Sequence, residues 1–369
     1  MRFFCDTYVR ELQQSLPPWD RDEKDSEGKS EIKWTRALKA LWSAKTPLDS
    51  STLNIAMGIY RPFVPEWCIF DARVNEMQYQ LQRMFPRGAA ADAVLISGFP
   101  SAKPFQVFAT QHFPSYDTLE KTTSLPRYRY TASGERIDNI TDWALKEFHK
   151  VYGRDGRGTP AKAGAEGGDG MISPTRGEIG QSRRSATRAL GKDDIFHYVY
   201  AVLHDPLYRA KYALNLKREF PRIPFYSDFW KWAAWGEALM ALHIGYEKVE
   251  PWPLTRTDTP DEKARAAGVA PKALLKADRD NGIIRLDTET QLSGIPRKAW
   301  DYRLGNRSGL DWILDQYREK TPKDPTIREK FNTYRFADYK EKVIDLLMRV
   351  TRVSVETVAI MEAMKEARR

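Results

Sequence analysis

The chain has 369 residues, 41% hydrophobic, 12% aromatic and 30% charged, with 59 Lys and Arg against 50 Asp and Glu for a net charge of +9. This composition supports a sizeable packed core and excludes a chain disordered overall, while the moderate basic excess fits a phosphate-binding surface without requiring one. Two distant cysteines with no C-x-x-C pair, no apolar run near the roughly 18 residues of a membrane span, and no signal-peptide core together predict a protein of the reducing cytoplasm.

Residues 1–30 read as a peripheral segment, in which Pro17-Pro18 stops a short helix and a charged loop follows. Residues 31–152 read as a β-rich part. It opens with a helix over 31–42, placing Ile32, Trp34, Leu38 and Leu41 near one face. Short apolar runs at 59–63, 67–70, 93–96 and 105–108 then read as strands broken by Pro and Gly. Over 125–130 basic and aromatic residues alternate, which sets Arg127 and Arg129 on one strand face and Tyr128 and Tyr130 on the other. Thr141 caps a helix carrying Trp143, Phe148, Val151 and Tyr152.

Residues 153–190 hold nine glycines and seven basic against four acidic residues, with few bulky apolar side chains, and read as a flexible insertion. Residues 191–369 read as mainly helical. Ile195, Val199 and Val202 mark one helix, and Asp205-Pro206 restarts the chain with a cap and a first-turn proline. The next helix carries Tyr208, Tyr212 and Leu216 and ends before Pro221. Ser227 caps a third, with the stripe Phe229, Trp232, Ala233, Gly236, Leu239, Met240 and His243. Residues 250–280 read as mixed polar loop and short helix, 282–286 as a strand, and Asp338 opens a long terminal helix. The fold class is α+β: a β-rich N-terminal half and a helical C-terminal half.

Motifs for chemistry are largely missing. The glycine cluster 164–170 ends in Met171 and Gly191-Lys192 runs into Asp193, so neither forms a phosphate loop. No Asn-Pro-Pro-aromatic turn of an amino-methyltransferase occurs. Asp20 or Asp22 with Glu31 and Lys33 resembles the carboxylate and lysine set of a Mg²⁺-dependent nuclease, which defines a rival reading. The five histidines lack metal-ligand spacing, and His197, His204 and His243 read as packed helix residues.

Cations beside aromatics do cluster. Arg61, Arg127, Arg129, Arg222, Lys231, Arg297, Lys298, Arg303, Asn306 and Arg307 are the candidate DNA-binding residues. Arg and Lys supply phosphate affinity, and Arg and Asn read guanine and adenine edges. The densest run, 300–312, packs two Trp, one Tyr, two Arg and one Asn around two glycines. Trp300, Leu304, Leu310 and a helix from Asp311 read as its scaffold, leaving Arg303, Asn306 and Arg307 on a glycine-flanked loop.

Several blocks also carry a family resemblance. They are Tyr60-Arg61-Pro62-Phe63 with Phe70-Asp71 and Asn75-Glu76; Ile140-Thr141-Asp142-Trp143-Ala144-Leu145; the run from Asp193-Asp194 through Asp205-Pro206 and Tyr208 to Pro224-Phe225; and 300–317 with Ser354-Val355-Glu356-Thr357. Together they make the chain resemble the C-terminal specificity region of Type ISP restriction-modification enzymes. Those are long bacterial proteins joining nuclease, helicase-like ATPase, adenine methyltransferase and target-recognition modules. The resemblance implies a non-catalytic module that recognises a double-stranded DNA target for the methyltransferase and helicase/nuclease modules of the same system. It implies S-adenosylmethionine, ATP and Mg²⁺ on those modules and no cofactor here. It also makes the chain a fragment, a split-gene product or a remnant. The insertion 153–190 and the irregular stretch 318–340 depart from the pattern. A third reading is an interaction module that docks a methyltransferase or helicase subunit through its helices.

Overall fold

The computed structural model describes residues 2–14, 17, 32, 34–158, 188–325 and 327–369. Most of the insertion expected at 153–190, and Asp20, Asp22, Glu31 and Lys33 of the nuclease reading, lie outside the described residues.

Helices α1 (Arg2–Leu12) and α2 (Arg36–Ser43) close a small core around Tyr8, Leu38, Trp42 and Leu53. Its indole N–H, that of Trp42, donates to the Glu11 carbonyl at 3.0 Å. The helix expected from residue 31 begins only at Arg36, because the Thr35 hydroxyl accepts from the Leu38 amide at 3.3 Å and caps it there.

Strands β1 (Ile55–Arg61) and β2 (Val64–Ile69) form an antiparallel hairpin. After the short α3 (Leu81–Met84), β3 (Ala93–Ile96) lies between β4 (Val107–Thr110) and β6 (Thr123–Pro126), while β5 (Phe113–Pro114) pairs in parallel with β1. A two-stranded ribbon follows, β7 (Tyr128–Tyr130) with β8 (Arg136–Asp138). Helix α4 (Asp142–Tyr152) starts where Thr141 Oγ1 accepts from the Ala144 amide at 3.1 Å.

Beyond residue 188, α5 (Lys192–His204) and α6 (Pro206–Lys211) meet at Asp205, whose carboxylate accepts from the Leu207 amide at 3.0 Å. Helix α6 is shorter than the spacing of Tyr208, Tyr212 and Leu216 suggested; a separate 3-10 turn holds Asn215–Lys217. Helix α7 (Phe229–Ile244) is capped by Asp228 rather than Ser227.

The chain then builds a four-stranded antiparallel sheet. Its strands are β9 (Thr255–Asp258), β10 (Ala273–Asp278), β11 (Ile283–Asp287) and β12 (Thr290–Ser293), in the order β10-β11-β12-β9, with α8 (Glu262–Ala267) after β9. The loop and short-helix expectation for 250–280 is thus corrected, since it overlooked two strands. All four residues of β9 are exposed, so the apolar alternation that marks a strand is absent there. The short hairpin β13 (Arg303–Leu304) and β14 (Arg307–Ser308), then α9 (Gly309–Gln316) and the terminal α10 (Lys340–Lys365), complete the α+β fold.

Two large apolar clusters each draw on residues from before 152 and after 191. One joins Phe63 and Phe108 to Ile284, Leu304, Leu310 and Val350; the other joins Val94 and Ile96 to Tyr198, Trp232 and Met364. Helix α10 enters both. Among the described residues no helix is long and apolar enough to cross a membrane.

Candidate nucleic-acid interface

The run 300–312 folds into the β13–β14 hairpin and the start of α9. Its two-residue turn is Gly305-Asn306, with Gly305 at φ +73°, a conformation that favours glycine. A Cβ on Gly305 would come within 2.9 Å of the Gln106 side-chain amide, which would have to shift to admit it. The hairpin leads into α9 through a capping box. Ser308 Oγ accepts from the Asp311 amide at 3.1 Å, and the Asp311 carboxylate accepts from the Ser308 amide at 3.0 Å. Trp300, Tyr302, Leu304 and Leu310 are buried beneath, while Arg303 and Asn306 are exposed and Arg307 is half-buried.

Arg307 is held in place. Its guanidinium donates to Asp315 at 2.9 Å and lies 4.9 Å from the Trp312 ring. Arg61, at the end of β1, lies 5.9 Å from the same indole and 4.8 Å from the Tyr60 ring. Two guanidinium groups from distant segments therefore share one aromatic platform, each contact contributing about 0.5–1 kcal/mol. Trp312 is itself anchored by its indole N–H to the Leu304 carbonyl at 3.2 Å.

Asn306 and Arg307 line two clefts, one on either side of their short hairpin. One, about 430 Å³, is also lined by Tyr60, Arg61, Lys103, Gln106, Trp312 and Lys320. The other, about 850 Å³, reaches the β10–β11 connection with Lys276, Arg279 and Arg318. Arg279 pairs with both Asp311 oxygens at 2.8 Å and lies 5.2 Å from the Trp300 ring. Carboxylates interleave with the cations: Asp117 and Glu120 in the first cleft, Asp278 and Asp280 in the second. Such a mixture of fixed donors and acceptors suits reading polar edges better than tracking a uniform anionic backbone.

The base of the hairpin rests on buried histidines. His243 stacks on Tyr302 with centroids 5.1 Å apart, and its ring nitrogens are hydrogen-bonded to Tyr200 Oη at 2.5 Å and Thr357 Oγ1 at 2.9 Å. Burial pushes the His243 imidazole down to about 3, with nearby Arg209 acting in the same direction; burial also holds His204 well below its usual value. Both are neutral core groups. Among the described residues no His, Cys, Asp and Glu side chains gather as metal ligands.

Of the ten candidates, Arg61, Asn306 and Arg307 line the same cleft, and Arg303 stands beside them, donating to the Asn306 carbonyl. Arg127 requires correction. It is 6% exposed and paired with Asp138 at 2.6 Å and Asp193 at 2.5 Å. The expected single strand breaks between Pro126 and Tyr128, so Arg127 turns inward and ties the β7–β8 ribbon to the start of α5. Arg127→Ala should lower stability by about 2 kcal/mol in a denaturant titration, while the salt dependence of DNA binding stays as it was.

The remaining candidates lie apart from both clefts. Arg129 is exposed on β7. Arg222 pairs with Glu219 at 3.2 Å, and Lys231 lies 5.1 Å from the Trp235 ring. Lys298 pairs with Glu362 at 2.5 Å next to the exposed Arg297. Lys103, Gln106, Lys276, Arg279, Arg318 and Lys320 were missed as candidates. Only Arg279 carried a local signal, lying in Asp278-Arg279-Asp280-Asn281-Gly282, a turn sequence that becomes meaningful once β10 and β11 are recognised.

The chain is 48% identical to the protein in the cryo-electron microscopy structure of a DrdV–DNA complex and superposes on it with a TM-score of 0.82. The match covers 98% of this chain and 33% of that one, so this chain spans about a third of the DrdV chain. A nuclease-deletion mutant of the Type ISP restriction-modification enzyme LlaGI, in complex with a DNA substrate mimic, matches at 22% identity and TM-score 0.70, over 99% of this chain and 30% of that one. The ATP-dependent Type ISP restriction-modification enzyme LlaBIII bound to DNA matches at 20% identity and TM-score 0.73, over 100% and 22%. The last two likenesses show a shared fold. Among curated proteins none matches. The family model of the Type ISP C-terminal specificity domain matches residues 1–346, and the chain belongs to that family.

Proposed function

We propose that this chain reads a short sequence in double-stranded DNA, so that methyltransferase and helicase/nuclease modules, linked to it or partnered with it, methylate adenine or cleave at the site it selects. The observation that carries this reading is the β13–β14 hairpin: an exposed Asn306 and a clamped Arg307, on a turn whose Gly305 holds a positive φ, lining two polar clefts. Arginine recognises guanine O6 and N7, and asparagine recognises adenine N6 and N7, through paired hydrogen bonds. A guanidinium already held by Asp315 and Trp312 has less freedom to lose on binding. Arg61, Lys103, Lys276, Arg318 and Lys320 surround the hairpin as phosphate contacts. The DNA complex formed by DrdV supports carrying this ligand over. In this reading the chain performs no chemistry; S-adenosylmethionine, ATP and Mg²⁺ belong to the other modules, and the site of action is the bacterial cytoplasm.

The test is selection from a randomised duplex pool, with affinity followed against salt. An enriched sequence and a steep salt dependence are expected. Arg307→Ala and Asn306→Ala should each lose about 1–3 kcal/mol of discrimination at one base pair while retaining non-specific binding. Absence of salt-sensitive duplex binding would overturn the reading and leave a module that docks a partner subunit through its helices.

A further inference from the structure

Among the polar side chains of the smaller cleft, Gln106 is held in an unusual state. The residue is 2% exposed. Its backbone is fixed just before β4: the Ser97 amide donates to the Gln106 carbonyl at 3.0 Å, and the Gln106 amide donates to Ser97 Oγ at 3.2 Å. The side-chain carboxamide, in contrast, makes no hydrogen bond to the described residues and reaches the cleft wall. It lies against the turn glycine of the hairpin and opens on the cleft that Arg61, Asn306 and Arg307 also line.

The carboxamide atoms are not among the buried polar atoms cut off from water, so they keep access to the cleft while the rest of the residue is packed, and their donor and acceptor are free for a ligand. A packing role under Gly305 needs no polar group and would be filled by an apolar side chain of similar length. The feature that only glutamine or asparagine supplies is a donor and an acceptor side by side, the complement of the adenine N7 and N6 edge. We propose that Gln106 is a specificity-determining residue, whose carboxamide pairs with the edge of one adenine presented to this cleft. The proposal rests on the reading of the chain as a DNA-sequence reader and adds a second recognition element beside the hairpin tip.

The experiment repeats the duplex selection with the full chain carrying Gln106→Glu or Gln106→Met. Glutamate keeps the shape but can only accept, which suits the cytosine N4 amino group; methionine keeps the packing and removes both polar groups. With Gln106→Glu, one base pair should move from A·T toward C·G. With Gln106→Met, preference at that same pair should flatten by about ten-fold to a hundred-fold, the other positions remaining unchanged. Melting curves identify a variant that has failed to fold, and the methionine variant carries the test if the buried glutamate disrupts folding. Unchanged preference at every position overturns the proposal. Loss spread over the positions that Asn306→Ala and Arg307→Ala also affect overturns it too, since Gln106 would then act only as a prop for the hairpin. No enriched sequence for the unaltered chain overturns this proposal together with the DNA-reading function, whereas enrichment insensitive to Gln106 overturns this proposal alone.

Discussion

Lowering the pH from 7 to 5 is expected to destabilise the chain by about 4 kcal/mol, before most carboxylates begin to protonate. His204 and His243 are both about 1% exposed, and their depressed values mean that the folded chain keeps them neutral. In the unfolded chain an imidazole titrates near 6.5. Below that pH the unfolded state takes up protons that the folded state refuses, so stability is full above the unfolded value and falls as the pH drops toward the folded one. Each group contributes about 1.4 kcal/mol per pH unit over that window. His112, held below its usual value by burial, acts in the same sense. Asp71, held at about 2 mainly by its hydrogen bond to Arg73, contributes in a lower window, below about pH 4. Urea unfolding at pH 7, 6 and 5 measures the effect, and His243→Gln should reduce the slope by removing one of the titrating groups. A stability that stays level from pH 7 to 5 would show that the two imidazoles are not buried as neutral groups. The consequence reaches the interface, because His243 supports Tyr302 at the foot of the recognition hairpin.

The parts of this fold legible in the sequence are those whose cause is local. Thr141 announces α4 because a hydroxyl ahead of an amphipathic run caps it, and Asp205-Pro206 announces α6 for a similar reason. The four buried residues of β3 stand out as a short apolar run between turns. The glycine-flanked loop around Asn306 was legible on the same basis, because a two-residue turn has a sequence signature. Contacts between distant segments were not. Nothing near Arg61 indicates that it shares the Trp312 indole with Arg307. Nothing in residues 125–130 distinguishes the buried Arg127 from the exposed Arg129, because the partners Asp138 and Asp193 come from elsewhere in the chain. Strand β9 escaped because a fully exposed edge strand needs no apolar face, and with it went the sheet that places Lys276 and Arg279 beside the hairpin. The cleft flanks are therefore a product of topology, whereas the hairpin tip is a product of turn chemistry.

Gly236→Ala is expected to cost about 3 kcal/mol or more, a large effect for one methyl group on a helix. In an exposed helix the same change would stabilise by about 1 kcal/mol. Here α7 crosses α5 at backbone contact, and a Cβ on Gly236 would lie 1.8 Å from the His197 carbonyl oxygen and 2.5 Å from its carbon. Those are main-chain atoms inside a helix, so no rotamer change relieves the clash and the two helices must separate. Separation loosens the stack of Tyr198 on Phe229, with centroids 5.2 Å apart, and the hydrogen bond between Tyr200 and His243. Overpacking alone costs about 1–3 kcal/mol, and each buried polar group left without its partner adds about 1–3 kcal/mol. His243 lies two helical turns beyond Gly236 on α7, so displacement of the helix also shifts the ring on which Tyr302 stacks. The variant should therefore lose duplex sequence preference under conditions where its circular dichroism still reports folded helix, as the hairpin loses its support before the core melts. Unchanged or raised stability in Gly236→Ala would show that α5 and α7 are not in backbone contact, and sequence preference that persists to the melting point would break the link drawn between α7 and the hairpin.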